Sequence, residues 1–185
     1  MTNLRYHILK SPFGPIGLVW IETGPRPLVR RVILSRPGQT ADRTVSALFP
    51  GCPEDASKGI LNLARGIEAF LLGGDVVFPL HWIGIESCPP FQQAVLRAEH
   101  AIPRGSVSTY SRIAGHLGRP GAARAVGNAL AHNPFPILVP CHRAIRSDGF
   151  PGGFQGGPAM KRKFLEMEGI VFDSAGRASR AGLWY

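Results

Sequence analysis

An α+β chain is predicted, with an antiparallel β-meander and helices in its N-terminal half and a mainly helical C-terminal half. Short strand-like runs at Leu4–Lys10, Gly17–Ile21 and Leu28–Leu34 are separated by clusters of turn-forming residues. From Phe91 onward the apolar residues recur at helical spacing. Two of the later helical segments are joined only through Arg119-Pro120-Gly121, the short connection of a helix-turn-helix. A chain of 185 residues is long enough for one large domain or two small ones.

The first turns are Ser11-Pro12-Phe13-Gly14-Pro15 and Thr23-Gly24-Pro25-Arg26-Pro27, dense in residues that break or preset the backbone. A short helix is expected around Asp42–Leu48. Over Ala56–Leu72 a longer one is predicted, because Ile60, Leu63, Ala64, Ile67 and Leu71 repeat along one face and Gly73-Gly74 stops it. Phe78–Ile85 reads as extended. Ser87-Cys88-Pro89-Pro90 then divides a β-rich domain, residues 1–86, from a helical remainder, residues 87–185.

In that remainder Phe91, Ala94, Val95 and Ala98 form an apolar stripe that ends before Pro103, and Gly105–Ser108 reads as an extended link. Thr109 caps a helix from Tyr110 to Leu117, stopped by Gly118, and Pro120 is placed to open the next, which runs to Ala131. The helix-turn-helix so defined covers about residues 109–131. At 100° per residue Ala123, Val126 and Leu130 point inward, and the opposite face carries Gly121, Arg124, Ala125, Asn128 and Ala131. Arg146–Pro158 is a loop with glycines at 149, 152, 153, 156 and 157. Pro158 opens a last helix through Met167, carrying Lys161, Arg162 and Lys163; Glu168-Gly169 closes it before a strand at Ile170–Phe172 and a peripheral tail, residues 173–185.

The formal charge of +9 is uneven: residues 1–87 hold nine basic and seven acidic side chains, and residues 88–185 hold twelve and five. The C-terminal half is therefore the part suited to a polyanion, unless an arginine-rich surface is all the bias means. No apolar run approaches the ~20 residues that span a bilayer, and the first residues lack a secretory apolar core. Three cysteines, Cys52, Cys88 and Cys141, without a C-x-x-C spacing argue against a disulfide framework or a cysteine-rich zinc site. A cytoplasmic, nucleoid-associated location without membrane contact is expected.

The chemistry lies in Asn133-Pro134-Phe135-Pro136-Ile137-Leu138-Val139-Pro140-Cys141-His142-Arg143, within an active-site segment spanning residues 133–146. Prolines at 134, 136 and 140 predict an extended, rigid run that aims the Cys141 thiol. His142 beside it could take the thiol proton or stabilise the thiolate, the form that attacks. By default a lone cysteine is a small buried hydrophobe, and that reading stands beside the catalytic one. The outer face of the second helix, mostly methyls with one arginine, suits close approach to a narrow groove with little sequence reading. An alanine-rich helix packed on both sides would look the same.

Taken with Thr109-Tyr110, Ala122-Ala123-Arg124-Ala125-Val126-Gly127, Gly156-Gly157 and Glu168-Gly169, the Pro-Cys-His-Arg box resembles the methylated-DNA–protein-cysteine methyltransferases, also called O6-alkylguanine-DNA alkyltransferases, in order and spacing across residues 91–170. The resemblance implies a ribonuclease H-like N-terminal domain followed by a DNA-binding domain. It implies irreversible single-turnover transfer of an alkyl group from O6-alkylguanine, and from O4-alkylthymine, to Cys141 after nucleotide flipping. His142 would act through a water on Cys141, Glu168 would fix its tautomer, and Asn133 would hold the active-site turn. Tyr110 would donate to a ring nitrogen of the flipped base, and Arg124 would fill the gap it leaves. Tyr110, Ala122, Ala123, Ala125, Gly127, Asn128 and Arg112 would lie along the duplex. Ala144, Phe154, Gln155, Gly156 and Gly157 would form the substrate pocket.

The implied partner is double-stranded DNA with alkylated guanine, bound by a monomer through the minor groove without sequence specificity; no cofactor and no metal are implied. Two features depart from the family pattern. Phe154-Gln155 stands where relatives often have tyrosine and a small residue, and Arg112 where they often have a neutral or acidic one. The alternative is an alkyltransferase-like sensor that binds the lesion without transfer; such relatives commonly have tryptophan at the position of Cys141. A plain helix-turn-helix regulator with a structural Cys141 is a further reading, and it predicts sequence-selective binding.

Overall fold

The computed structural model describes residues 3–24, 26–179 and 182–185, folded as two compact units. Unit 1 is Met1–Gly84 with Pro134–Leu138, and unit 2 is Ile85–Asn133 with Val139–Tyr185. The segment Pro134–Leu138, just before the cysteine, thus groups with the N-terminal part of the chain, where a single boundary near residue 86 would have assigned it to the C-terminal part.

In the first unit β1 (Leu4–Leu9), β2 (Ile16–Thr23) and β3 (Arg26–Leu34) form an antiparallel meander in the order β1-β2-β3, with a register irregularity at Val19/Trp20. Pro25 of the second turn lies outside the described residues. Trp20 is fully buried, and its indole N–H donates to the Asp55 carbonyl at 3.4 Å. Helix α1 (Ala41–Leu48) lays Ala41 and Val45 on Val19 and Ile33 of the sheet. Helix α2 (Lys58–Leu71) begins where the Ser57 hydroxyl accepts from the Ile60 N–H, and it buries the predicted stripe together with Phe70. Phe78–Ile85 is not an extended strand. The Trp82 N–H bonds back to the Pro79 carbonyl at 3.1 Å, curling Leu80–Trp82 into a 3-10 turn, and only Ile83 bridges β3, at Val29.

The second unit opens with a 3-10 turn at Ile85–Ser87 and helix α3 (Pro90–Ala101). The inward face of α3 is Val95, Leu96, Ala98 and Glu99, turned from the predicted stripe, so that Phe91 is only half-buried. Strand β4 (Ser108–Thr109) pairs in parallel with β5 (Ala144–Ile145). Thr109 caps α4 (Tyr110–His116), its hydroxyl accepting from the Arg112 N–H at 3.2 Å. Pro120 does not open the next helix: the Ala122 N–H closes a turn onto the Arg119 carbonyl, and α5 begins at Ala123 and ends at Ala131. On α5 Val126, Ala129 and Leu130 are buried, while Arg124, Ala125, Asn128 and Ala131 are exposed.

Helix α6 (Pro158–Met167) matches its sequence signals, but Ile170–Phe172 contributes only a bridge from Phe172 to Ala178. The tail is not peripheral. Val107, Ile145, Leu165, Ile170 and Ala178 make one apolar cluster with Phe172 and Leu183 against it, and the Trp184 N–H donates to the Val107 carbonyl at 2.9 Å. Arg180 and Ala181 of the tail lie outside the described residues. Among the described residues no helix is long and apolar enough to cross a membrane.

Trp20 fills the largest single volume in its core, so Trp20→Ala should cost about 3–5 kcal/mol in a urea melt. Leu72→Ala, at a site 81% exposed, should leave the melt unchanged within error.

Candidate active site

Cys141 does not sit on an extended run. The Cys141 N–H bonds the Val139 carbonyl two residues back, closing a tight turn around Pro140, and the Arg143 N–H bonds the Pro140 carbonyl three residues back, making Cys141–Arg143 a 3-10 turn; both bonds are 2.8 Å. Pro140 limits φ to a range that such a turn also uses, so proline density did not enforce extension. Within the first unit, the Val32 N–H holds the Pro134 carbonyl at 2.8 Å. Ile137 has a φ of 74°, a left-handed conformation that costs a β-branched residue on the order of 1–3 kcal/mol.

Three side chains meet at the end of α6. His142 Nε2 lies 3.0 Å from Glu168 Oε1, Arg143 Nε donates to Glu168 Oε2 at 2.9 Å, and Arg143 Nη2 donates to Oε1 at 2.8 Å. The third guanidinium nitrogen, Nη1, donates to the Ile102 carbonyl at 2.6 Å, just past α3. Burial works to raise the Glu168 carboxyl, but hydrogen bonds from His142 and Arg143 and their charges hold it down at about 2. An ionised carboxylate only accepts, so His142 Nε2 carries the proton and Nδ1 is the basic nitrogen. Burial lowers the His142 pKa while Glu168 pulls it back up, so the ring is neutral at rest.

The cysteine itself is 5% exposed, and burial pushes its thiol up to about 11. A hydrogen bond from the Asn133 side chain opposes this, the Glu99 charge adds to it, and Lys161 counters. Asn133 is buried at the foot of α5 and also gives its Nδ2 to the Val139 carbonyl at 3.2 Å. Tyr110, first residue of α4, is pushed up to about 12 by burial and by the charges of Glu99 and Cys141, so its hydroxyl keeps its proton. Lys161 is fully buried, with Nζ bonded to the carbonyls of Ala144 at 2.6 Å and Gly153 at 3.3 Å and standing 5.9 Å from the Tyr110 ring centre.

The glycine-rich loop is shaped by its neighbours. A Cβ at Gly152, where φ is 76°, would come within 2.8 Å of the Tyr110 hydroxyl, and one at Gly156 within 2.1 Å of Met160 Sδ. Phe154 stands edge-on to His142 and Phe164, and Gln155 Nε2 donates to the Asn133 carbonyl at 2.5 Å. The loop therefore brings Phe154, Gln155, Gly156 and Gly157 beside Asn133, Tyr110 and α6. Ala144, directly after the cysteine turn, joins this cluster through Lys161, and the other predicted residues lie on α4 and α5 or at the start of α5. On α5 Arg124 is exposed, without an ion pair among the described residues, and Ala122, Ala123 and Gly127 are half-buried. Arg112 is exposed and donates to the Tyr185 carbonyl, and the Tyr185 ring stacks on His116 at 3.8 Å.

Sequence reasoning assigned no role to Arg143, Lys161 or Glu99. Periodicity held the signal for two of them. Lys161 is three residues before buried Phe164, and Glu99 follows Val95 by four and Leu96 by three, so each charge falls on an apolar helix face. Among the described residues no group of three or more His, Cys, Asp or Glu could hold a metal ion.

The folded-state pKa of Glu168 is depressed, so its contribution to stability is complete above the ordinary carboxylate value and is lost as pH falls toward about 2. That contribution is about 3 kcal/mol, from the drop from 4.5 to about 2. The thermal midpoint should fall steeply with acid between about pH 5 and 2, and Glu168→Gln should lower the midpoint at neutral pH and flatten that slope in a calorimetric series.

With this geometry in view, residues 90–170 match the family model of the 6-O-methylguanine DNA methyltransferase, DNA binding domain. A methylated-DNA–protein-cysteine methyltransferase of Methanothermobacter thermautotrophicus is 39% identical over 165 residues, covering 89% of this chain and 85% of that protein. The one of Mycobacterium bovis is 51% identical over 168 residues, covering 89% and 92%. The crystal structure of Mycobacterium tuberculosis OGT in complex with DNA matches with a TM-score of 0.70 at 31% identity, over 89% of this chain and 92% of that one. Buried cysteine, imidazole, carboxylate and helical neighbours thus stand in a chain that belongs to the methylated-DNA–protein-cysteine methyltransferase family.

Proposed function

We propose that the chain repairs DNA by moving an alkyl group from the O6 oxygen of guanine, and from the O4 oxygen of thymine, irreversibly onto Cys141. The observation that carries this is the placement of Cys141 in a buried turn next to His142, with Asn133 bonded to its sulfur and Glu168 bonded to the imidazole. In the step, the Cys141 proton passes through a water to His142 Nδ1, leaving an imidazolium matched by Glu168. The thiolate forms the S–C bond as the C–O bond breaks, and the electron pair of that bond goes to the guanine. Tyr110 keeps its phenolic proton and donates a hydrogen bond to a ring nitrogen, which stabilises the leaving group. The sulfur ends as a thioether with no group to remove it, so each molecule acts once.

A stacked base cannot bring its O6 substituent to a buried sulfur, so the nucleotide must be turned out, at a cost of a few kcal/mol. Arg124 on the exposed face of α5 offsets this by entering the duplex, while Ala122, Ala123, Ala125, Gly127 and Asn128 press on the minor groove with little to read sequence. Tyr110 and Arg112 on α4 flank that face. In this reading α4 and α5 act as a helix-turn-helix, the second unit is the catalytic and DNA-binding domain, and the first is the family's variable, ribonuclease H-like domain. The protein acts as a monomer on double-stranded DNA, and the charge of residues 88–185 makes binding strongly salt-dependent. Phe154, Gln155, Gly156 and Gly157 with Ala144 form the pocket wall.

Incubation with duplex DNA containing O6-methylguanine should add one methyl mass to the Cys141 peptide, one equivalent per protein. Binding without added mass would instead identify a sensor. Cys141→Ser should lose at least about a thousandfold in transfer rate yet still bind DNA. Arg124→Ala should slow repair in duplex at least about tenfold while leaving reaction with free O6-benzylguanine within about twofold; equal losses would remove Arg124 from the flipping step.

A further inference from the structure

Glu99 is a buried acid that the reaction above does not use. Its side chain is fully buried on the inward face of α3, and neither carboxylate oxygen accepts a hydrogen bond at full geometry among the described residues. A lone carboxylate in such a place is costly unless charge or a proton compensates it. The groups that act on it come from every neighbouring element. Lys161 is on α6, Arg143 and Cys141 are on the active-site turn with the Ala144 N–H after it, Tyr110 is on α4, and Tyr185 is in the tail. On its own helix Arg97 turns outward to Glu86. Of the two buried cations, Arg143 is committed to Glu168 and the Ile102 carbonyl. Among the described residues Lys161 bonds neutral carbonyls alone, so its charge is the one left to be shared.

We propose that Glu99 is a positioning residue for the reaction of Cys141: sealed in the same cluster as Lys161, it decides how much of the lysine's charge reaches the sulfur. With a proton on Glu99, Lys161 is the uncompensated cation facing the thiolate. With that proton gone, the Glu99 carboxylate takes the lysine's charge and its own charge opposes a second anion. Burial raises the Glu99 carboxyl to about 8 against the pull of Lys161 and lowers the Lys161 ammonium to about 8 against the pull of Cys141 and Glu99, so the pair changes charge below the range in which the thiol, pushed up to about 11, ionises. This deepens the alkyl-transfer reading and rests on it only for its consequence in repair; the effect on the thiol is independent of the natural substrate.

The test uses iodoacetamide, whose carbon is attacked by the Cys141 thiolate with loss of iodide, read by mass spectrometry of the Cys141 peptide across pH, beside transfer from O6-methylguanine DNA. In the unaltered protein the carbamidomethylation rate should rise less than proportionally with hydroxide through about pH 8, because the Glu99–Lys161 pair loses a proton there and with it the net positive charge facing the sulfur. Glu99→Gln and Glu99→Leu should remove that inflection and move the thiol midpoint down. A tenfold gain in thiolate should then raise the rate at alkaline pH about threefold, because the weaker nucleophilicity of a more acidic thiol offsets part of the gain. Lys161→Met should move the midpoint up.

A single proportional rise in the unaltered protein, or variants with its profile, would overturn the proposal. Glu99→Leu is expected to fold even if Glu99→Gln does not, because it removes a polar group from an apolar face. Should neither fold, the profile of the unaltered protein decides. If the iodoacetamide profile behaves as expected and DNA transfer is absent, the alkyl-transfer reading fails while the role of Glu99 stands.

Discussion

A carboxylate taken out of water must be matched, and in this chain that requirement falls on Glu168. Two nitrogens of Arg143 and one of His142 reach it, and the remaining arm of Arg143 is fastened to the Ile102 carbonyl. Those bonds tie the turn holding Cys141 to the end of α6 and to the chain leaving α3. Breaking such a set by removing one partner is expensive, although the set adds little compared with apolar packing of the same volume. What it supplies is uniqueness: the bond to an ionised carboxylate fixes the tautomer of the imidazole and its orientation.

Around that anchor the thiol is held in a neutral resting state. Burial outweighs the Asn133 hydrogen bond and the Lys161 charge, so the sulfur is not a standing thiolate. A buried, protonated thiol is a poor target for oxidants and chance electrophiles. Under the proposed mechanism this is an advantage for a protein that spends itself in one event, because ionisation is needed only when a base occupies the cleft. Lys161 also links the turn to the glycine-rich loop through the carbonyls of Ala144 and Gly153, so the reacting sulfur and the loop are coupled mechanically as well as electrically.

The tail contributes more than its sequence suggests. Leu183 bridges Val107, the Tyr185 hydroxyl donates to the Ala98 carbonyl, and Arg112 donates to the Tyr185 carbonyl. These bonds brace α3 and α4 from the side.

Read from residues alone, the chain already disclosed its meander, α1, α2, α4, α6 and the exposed face of α5, because turn chemistry, capping and periodicity are local. It also disclosed Cys141, His142 and Glu168 as a group, through the motif they share with a family. Pairings that depend on space were not legible. Proline density suggested extension before Cys141, but backbone carbonyls of Val139 and Pro140 drew it into a turn. Helical periodicity placed Lys161 and Glu99 on apolar faces without saying what would neutralise them, because their partners come from other elements. Tertiary structure alone decided those matches: charge balance is summed over everything that packs around a group, and sequence distance carries no record of it.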